Sequence, residues 1–180
     1  MPDSIGAFSN LTSLVLDTNE LSGSIPETIG NLSTLHSLYL SSNWLSNYLP
    51  SSMGNLTQLV FVYIENTYLS GPLPHTLRHL TSLQELFIDG NQLTGTLPEV
   101  IFNNTYSLTK LSLANNHFNG TIPSVLFNGA KLKYVSVSSN KLVGRLPSMH
   151  NPLSAMVQIF VADNLLTGLI PHDIGNFTLL

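Results

Sequence analysis

Cysteine is absent from the chain, so no disulfide can staple it, no thiol can act as a nucleophile and no thiolate can hold a metal. Charge is scarce too. Charged residues make up 9% of the sequence, 6 basic against 10 acidic, and no basic block occurs. Nucleic acid, recognised through clustered Lys and Arg against phosphate, is therefore a poor candidate partner. No apolar run reaches the roughly 18 to 20 residues a membrane-spanning helix needs. Met1-Pro2-Asp3-Ser4 also lacks the basic and apolar regions of a secretory signal, so this segment by itself predicts no membrane contact. Catalytic signatures are missing as well: there is no Gly-x-Ser-x-Gly elbow and no phosphate-binding glycine loop. A chain that is not an enzyme and carries no cofactor is expected.

What the chain has is leucine at fixed offsets, within a hydrophobic content of 43% that suffices for a core. The frame L-x-x-L-x-L-x-x-N-x-L runs through Leu11, Leu14, Leu16, Asn19 and Leu21. It recurs from Leu35 to Leu45, Leu83 to Leu93, Leu108 to Phe118, Leu132 to Leu142 and Met156 to Leu166, and Leu59 to Leu69 carries Thr67 in place of the Asn. Prolines keep the same beat. Pro2, Pro26, Pro50, Pro74 and Pro98 stand 24 residues apart, and Pro98 to Pro123 is one step of 25. Such a period predicts stacked coils, about seven of them, each burying its apolar edge only against its neighbours.

Each part of the frame has a physical reason. In the x-L-x-L-x segment the leucines alternate with outward residues, as a short strand requires, and stacked copies predict a parallel sheet. The Asn that follows carries both donors and acceptors, so it can satisfy buried backbone groups where the chain turns; Thr67 can supply only part of this. In Leu21-Ser22-Gly23-Ser24-Ile25-Pro26 the glycine suits an unusual backbone angle and the proline stops further pairing. Asn47 replaces that glycine once, consistent with the tolerance of Asn for left-handed geometry. Ile29-Gly30-Asn31-Leu32 and its relatives read as a short helical or 3₁₀ return on the outer side.

The motif L-x-G-x-I-P stands as Leu21 to Pro26 and Leu166 to Pro171, with close variants at Leu93 to Pro98 and Phe118 to Pro123. In this the whole chain resembles the plant-type leucine-rich repeat. The resemblance implies an α/β solenoid, a right-handed superhelix with a parallel inner sheet, a second smaller sheet at the S-G-x-I-P segment and short helical or 3₁₀ returns. It also implies an extracellular or cell-surface recognition scaffold, the ligand-binding segment of a receptor-like protein or kinase, with a peptide or a co-receptor ectodomain as partner. The alternative is a secreted or surface-anchored repeat protein, an inhibitor of a wall-degrading enzyme or an adhesin. Residues 1–180 read as a single solenoid that begins and ends mid-repeat, without the cysteine-bearing caps usual in the family, hence as part of a longer array.

Function should show on the outward residues of the inner strands. Between the last two core positions of each strand stand Val15, Tyr39, Tyr63, Phe87, Ser112, Ser136 and Phe160. With strands about 4.8 Å apart, Tyr39, Tyr63 and Phe87 should form an aromatic stripe with Phe61 beside it. The next outward column places Glu65 and Asp89 next to those rings. An aromatic patch rimmed by acids suits a peptide with apolar and basic side chains. Aromatics also favour strands and stack for stability alone, which is the competing reading. Glycosylation sequons stand at Asn10, Asn31, Asn55, Asn103, Asn119 and Asn176. His75 and His79 have the spacing of zinc ligands on a helix face but no third ligand, so no metal site is expected. The column Ser22, Ser46, Ser70, Thr94, Asn119, Val143 and Thr167 lacks the uniform threonine ladder of an ice-binding face. Pro147-Ser148-Met149-His150-Asn151-Pro152 replaces the usual return with a proline-flanked loop.

Overall fold

A computed structural model describes residues 1–104, 107–129, 131–150 and 155–176. Seven strands form one parallel inner sheet: Ser13–Val15, Ser37–Tyr39, Phe61–Tyr63, Glu85–Phe87, Lys110–Ser112, Tyr134–Ser136 and Gln158–Phe160. Each pairs only with the strand one coil before and one coil after. The register follows the frame, with Leu14, Leu38, Val62, Leu86, Leu111, Val135 and Ile159 in line. Their neighbours face the other way, as the alternation requires.

The aliphatic positions make a continuous spine. In the second coil Leu35, Leu38, Leu40 and Leu45 are all fully buried, and the third coil repeats this with Leu59, Val62, Ile64 and Leu69. Behind each strand the ladder asparagines close the turn. Asn116 is typical: its Nδ2 donates to the carbonyls of Ile88, Leu113 and Ala114, while its Oδ1 accepts from Leu93 N–H at 3.0 Å. Thr67 departs as its chemistry dictates, donating its hydroxyl to Asn91 Oδ1 and making no such set of carbonyl bonds. Asn47 has φ +69°, left-handed and close to its glycine counterparts Gly71 at +73° and Gly23 at +83°.

Beyond the ladder run short second-sheet strands. One group of four comprises Ser22–Gly23, Trp44–Tyr48, Tyr68–Gly71 and Gln92–Leu93; a group of three comprises Asn119–Gly120, Lys141–Gly144 and Leu165–Leu166. A single parallel bridge from Thr96 to Asn119 connects them. The outer returns are 3₁₀ helices at Asp3–Ala7, Glu27–Asn31, Ser51–Asn55, His75–His79 and His172–Asn176, and α-helical at Glu99–Asn104 and Val125–Asn128. Pro2, Pro26, Pro50 and Pro74 cap the first four, with φ between -77° and -66°. The α-helical return Glu99–Asn104 lies in the coil whose proline step is 25 residues, so the extra residue is taken up on the outside while the inner register Glu85 to Lys110 is kept.

The 3₁₀ returns are stacked tightly through glycine. A Cβ at Gly30 would sit 2.6 Å from both the carbonyl oxygen and the Cβ of Ser52 in the next coil. In the proline-flanked segment, residues 147–150 form no helix, and the buried Met149 fills the core where the return would. Asn151 and Pro152 lie outside the described residues. Among the described residues no helix is long and apolar enough to cross a membrane.

Candidate functional site

On the inner face the strands hold their outward side chains in rows, and the aromatic rings use that spacing to stack. Tyr39 and Tyr63 lie with centroids 5.0 Å apart, and Tyr63 and Phe87 lie 4.9 Å apart and within 1° of parallel. All three are half-buried. Their flat faces are therefore largely spent on one another, and the ring edges form the surface. Phe61, also half-buried, stands in the neighbouring column and takes no part in the ring stack.

The column runs further than its sequence positions indicate. Phe87 stacks on Tyr134 at 6.0 Å, and Tyr134 meets Phe160 at 5.5 Å in a tilted arrangement. Tyr134 belongs to the column of Glu85 and Lys110 and stands two coils beyond Phe87. The intervening coil offers Ser112, small and only 3% exposed, so the two rings can lean together across it. Serines at 112 and 136 thus do not end the stripe. They leave room for it.

Glu85 was not among the expected residues, yet it ties the column down. The Tyr63 hydroxyl donates to Glu85, and Lys110 Nζ lies 3.0 Å from the same carboxylate. Burial first, and then the bond to Glu85 and its charge, push the Tyr63 phenol upward, so it remains a donor. Opposite charges on neighbouring coils at Glu85 and Lys110 were the available signal.

Glu65 and Asp89 lie next to the rings but differ in freedom. Asp89 Oδ1 accepts from Ser112 Oγ at 2.5 Å and from Ala114 N–H at 2.8 Å, anchoring the end of the next strand. Asp17 does the same for Ser41 N–H, and Ser41 Oγ for Glu65 N–H. Asp89 Oδ2 is buried with no hydrogen-bond partner. Burial raises the Asp89 carboxyl against the lowering effect of those hydrogen bonds. Burial, and then the charges of Asp89 and Asp17, raise Glu65. Both carboxylates would be relieved by a cation, and among the described residues neither is ion-paired.

The sequon asparagines Asn10, Asn31, Asn55, Asn103 and Asn119 are exposed, while the Asn176 side chain lies outside the described residues. His75 and His79 bracket a 3₁₀ helix, whose three residues per turn set them about 120° apart rather than on one face. Among the described residues no three potential ligands converge on a metal position.

The family model described as Leucine-rich repeat region matches residues 2–112, and one described as Leucine Rich Repeat matches residues 107–128. Over 51 residues, 28% of the chain, the sequence is 43% identical to the LRR receptor-like serine/threonine-protein kinase EFR of Arabidopsis thaliana. The match spans 5% of that protein. Among solved structures, the plant peptide hormone receptor RGFR1 in complex with RGF2 aligns over 100% of the chain with TM-score 0.95 and 34% identity. The Arabidopsis receptor kinase HAESA, in complex with the peptide hormone IDA and the co-receptor SERK1, aligns over 98% with TM-score 0.91 and 37% identity. The chain spans 29% of each of those two structures, less than a third of their length.

Proposed function

Because the chain belongs to the plant-type leucine-rich repeat family, we propose that it is a ligand-recognition segment of a receptor-like protein or kinase, acting outside the cell. The ligand is a peptide laid along the inner face across Tyr39, Phe61, Tyr63 and Phe87, with its basic group at Glu65 and Asp89. A co-receptor ectodomain is the second partner. One observation carries this reading: a row of ring edges runs beside two carboxyls that burial holds above their usual range. A Lys or Arg of the ligand would pair with the partly exposed Glu65 carboxylate beside Asp89, and its apolar neighbours would cover the rings. The two receptor structures, each solved with a peptide hormone, support it.

Selection of a randomised peptide library on the purified chain is expected to yield peptides pairing an apolar residue with Lys or Arg. Affinity of a selected peptide should fall about 100-fold in the Tyr63→Ala/Glu65→Ala double variant, with folding checked by circular dichroism. It should also weaken as pH drops through the raised pKa of Glu65, because protonation removes the charge that holds the basic group. Unchanged affinity in the double variant would remove the site assignment.

An extracellular location further predicts N-glycans at Asn10, Asn31, Asn55, Asn103, Asn119 and Asn176. Intact mass after expression in a secreting host, before and after enzymatic deglycosylation, checks this. No mass difference would count against that location.

A further inference from the structure

A second set of aromatic rings lies away from the inner face. On the second sheet Trp44 is 59% exposed, Tyr48 66% and Tyr68 53%. Trp44 and Tyr48 are the two ends of one strand, and Tyr68 is in register with Ser46 between them on the next. From strand spacing and rise, the Cα atoms of Trp44 and Tyr68 are roughly 8 Å apart. Tyr48 rests over Gly71, whose missing side chain leaves space for the ring.

These rings differ from the inner column in a way that bears on use. Every ring pair among the described residues belongs to the inner column, so Trp44, Tyr48 and Tyr68 do not spend their faces on one another. The register partners around them, Ser22, Ser46, Ser70 and Gln92, carry hydroxyls or an amide and no charge. A cationic ligand would find no carboxylate at these positions, and an anionic one no base. The area is small as well. Three rings a little over half exposed offer on the order of 300–400 Å², against about 800 Å² per partner in a stable protein interface.

We propose that Trp44, Tyr48 and Tyr68 form a binding surface for a neutral, β-linked oligosaccharide. A pyranose ring with equatorial hydroxyls presents a flat C–H face that stacks on an aromatic face, and its edge hydroxyls match Ser46, Ser70 and the tyrosine hydroxyls. With the Cα atoms of Trp44 and Tyr68 roughly 8 Å apart, both rings lie within reach of successive units of one sugar chain.

Trp44 is the single tryptophan of the chain, so its emission reports this surface directly. Titration with cellohexaose or chitohexaose should give a saturable change in that emission, with a Kd on the order of 0.1–1 mM. Calorimetry should show Tyr68→Ala weakening binding at least roughly tenfold and Trp44→Ala abolishing it. All three side chains are exposed, so these variants should keep their melting curves. Tyr63→Ala, on the inner face, should leave sugar binding unchanged, which separates this surface from the peptide reading. The proposal is overturned if neither neutral oligosaccharide gives saturable binding, if binding survives Trp44→Ala, or if an acidic oligogalacturonide binds equally well.

Discussion

Replacing Asn91 with alanine is expected to destabilise the chain by about 3–5 kcal/mol, read as a lower midpoint in urea unfolding. Asn91 is 6% exposed. Its Nδ2 donates to the carbonyls of Ile64, Ile88 and Asp89 at 2.8, 3.2 and 3.1 Å. Its Oδ1 accepts from Leu69 N–H at 3.0 Å and from Thr67 Oγ1. Truncation would strand several of these groups where water does not reach, and each buried polar group left unpaired costs about 1–3 kcal/mol. Asn19 is the internal comparison. It makes two such bonds, to Leu16 and Asp17, but in an exposed setting where water can substitute. Asn19→Ala should therefore cost under about 1 kcal/mol. Equal losses at the two positions would show that burial of the ladder is not what makes it stabilising.

The second large effect comes from the outer side. Gly30→Ala should cost about 3 kcal/mol, because the added methyl would press on the Ser52 backbone at 2.6 Å, well inside van der Waals contact. Gly30 has no positive φ, so contact alone sets the loss. A flexible side chain could swing aside; a carbonyl held in the next coil cannot. Gly175 occupies the equivalent place in the return His172–Asn176, where no described residue lies within 4 Å of the added atom, so in the chain as given Gly175→Ala should stay within about 0.5 kcal/mol. Thermal melts of the two variants separate the explanations: a similar drop in both would point to helix propensity or the unfolded state rather than to coil contact.

The features that repeat were legible in the sequence. Leucine positions, the asparagine ladder and the replacement of glycine by Asn47 all follow from one period and one backbone requirement. Less legible was a second left-handed position just before the ladder residue, at Thr18, Ser42, Asn66, Gly90, Asn115, Ser139 and Asp163, with φ from 52° to 64°. Those residues share only a small or polar side chain, which loops also favour, so the signal was present but weak. Straight outward columns predict an aromatic stripe three coils long, whereas the stack continues past Phe87. Tyr134 reaches Phe87 across a column, a matter of ring length and a small neighbour rather than of spacing. Asp89 read as surface charge, yet half its acceptor capacity goes to the strand beside it, since each terminal N–H needs an acceptor. Trp44 and Tyr68 stand one period apart and flank the Ser46 and Ser70 positions, but rings at only two coils make no repeating pattern.

The coil that holds one extra residue shows that perimeter and docking register are set by different parts of the molecule. The added length is absorbed where the chain winds from 3₁₀ to α, while the pairs Glu85 with Lys110 and Phe87 with Ser112 remain aligned. Residues can accordingly be inserted or deleted along the back without rewriting the order of side chains along the front. Grafts, tags or altered lengths placed there should leave the reading frame of a bound ligand intact.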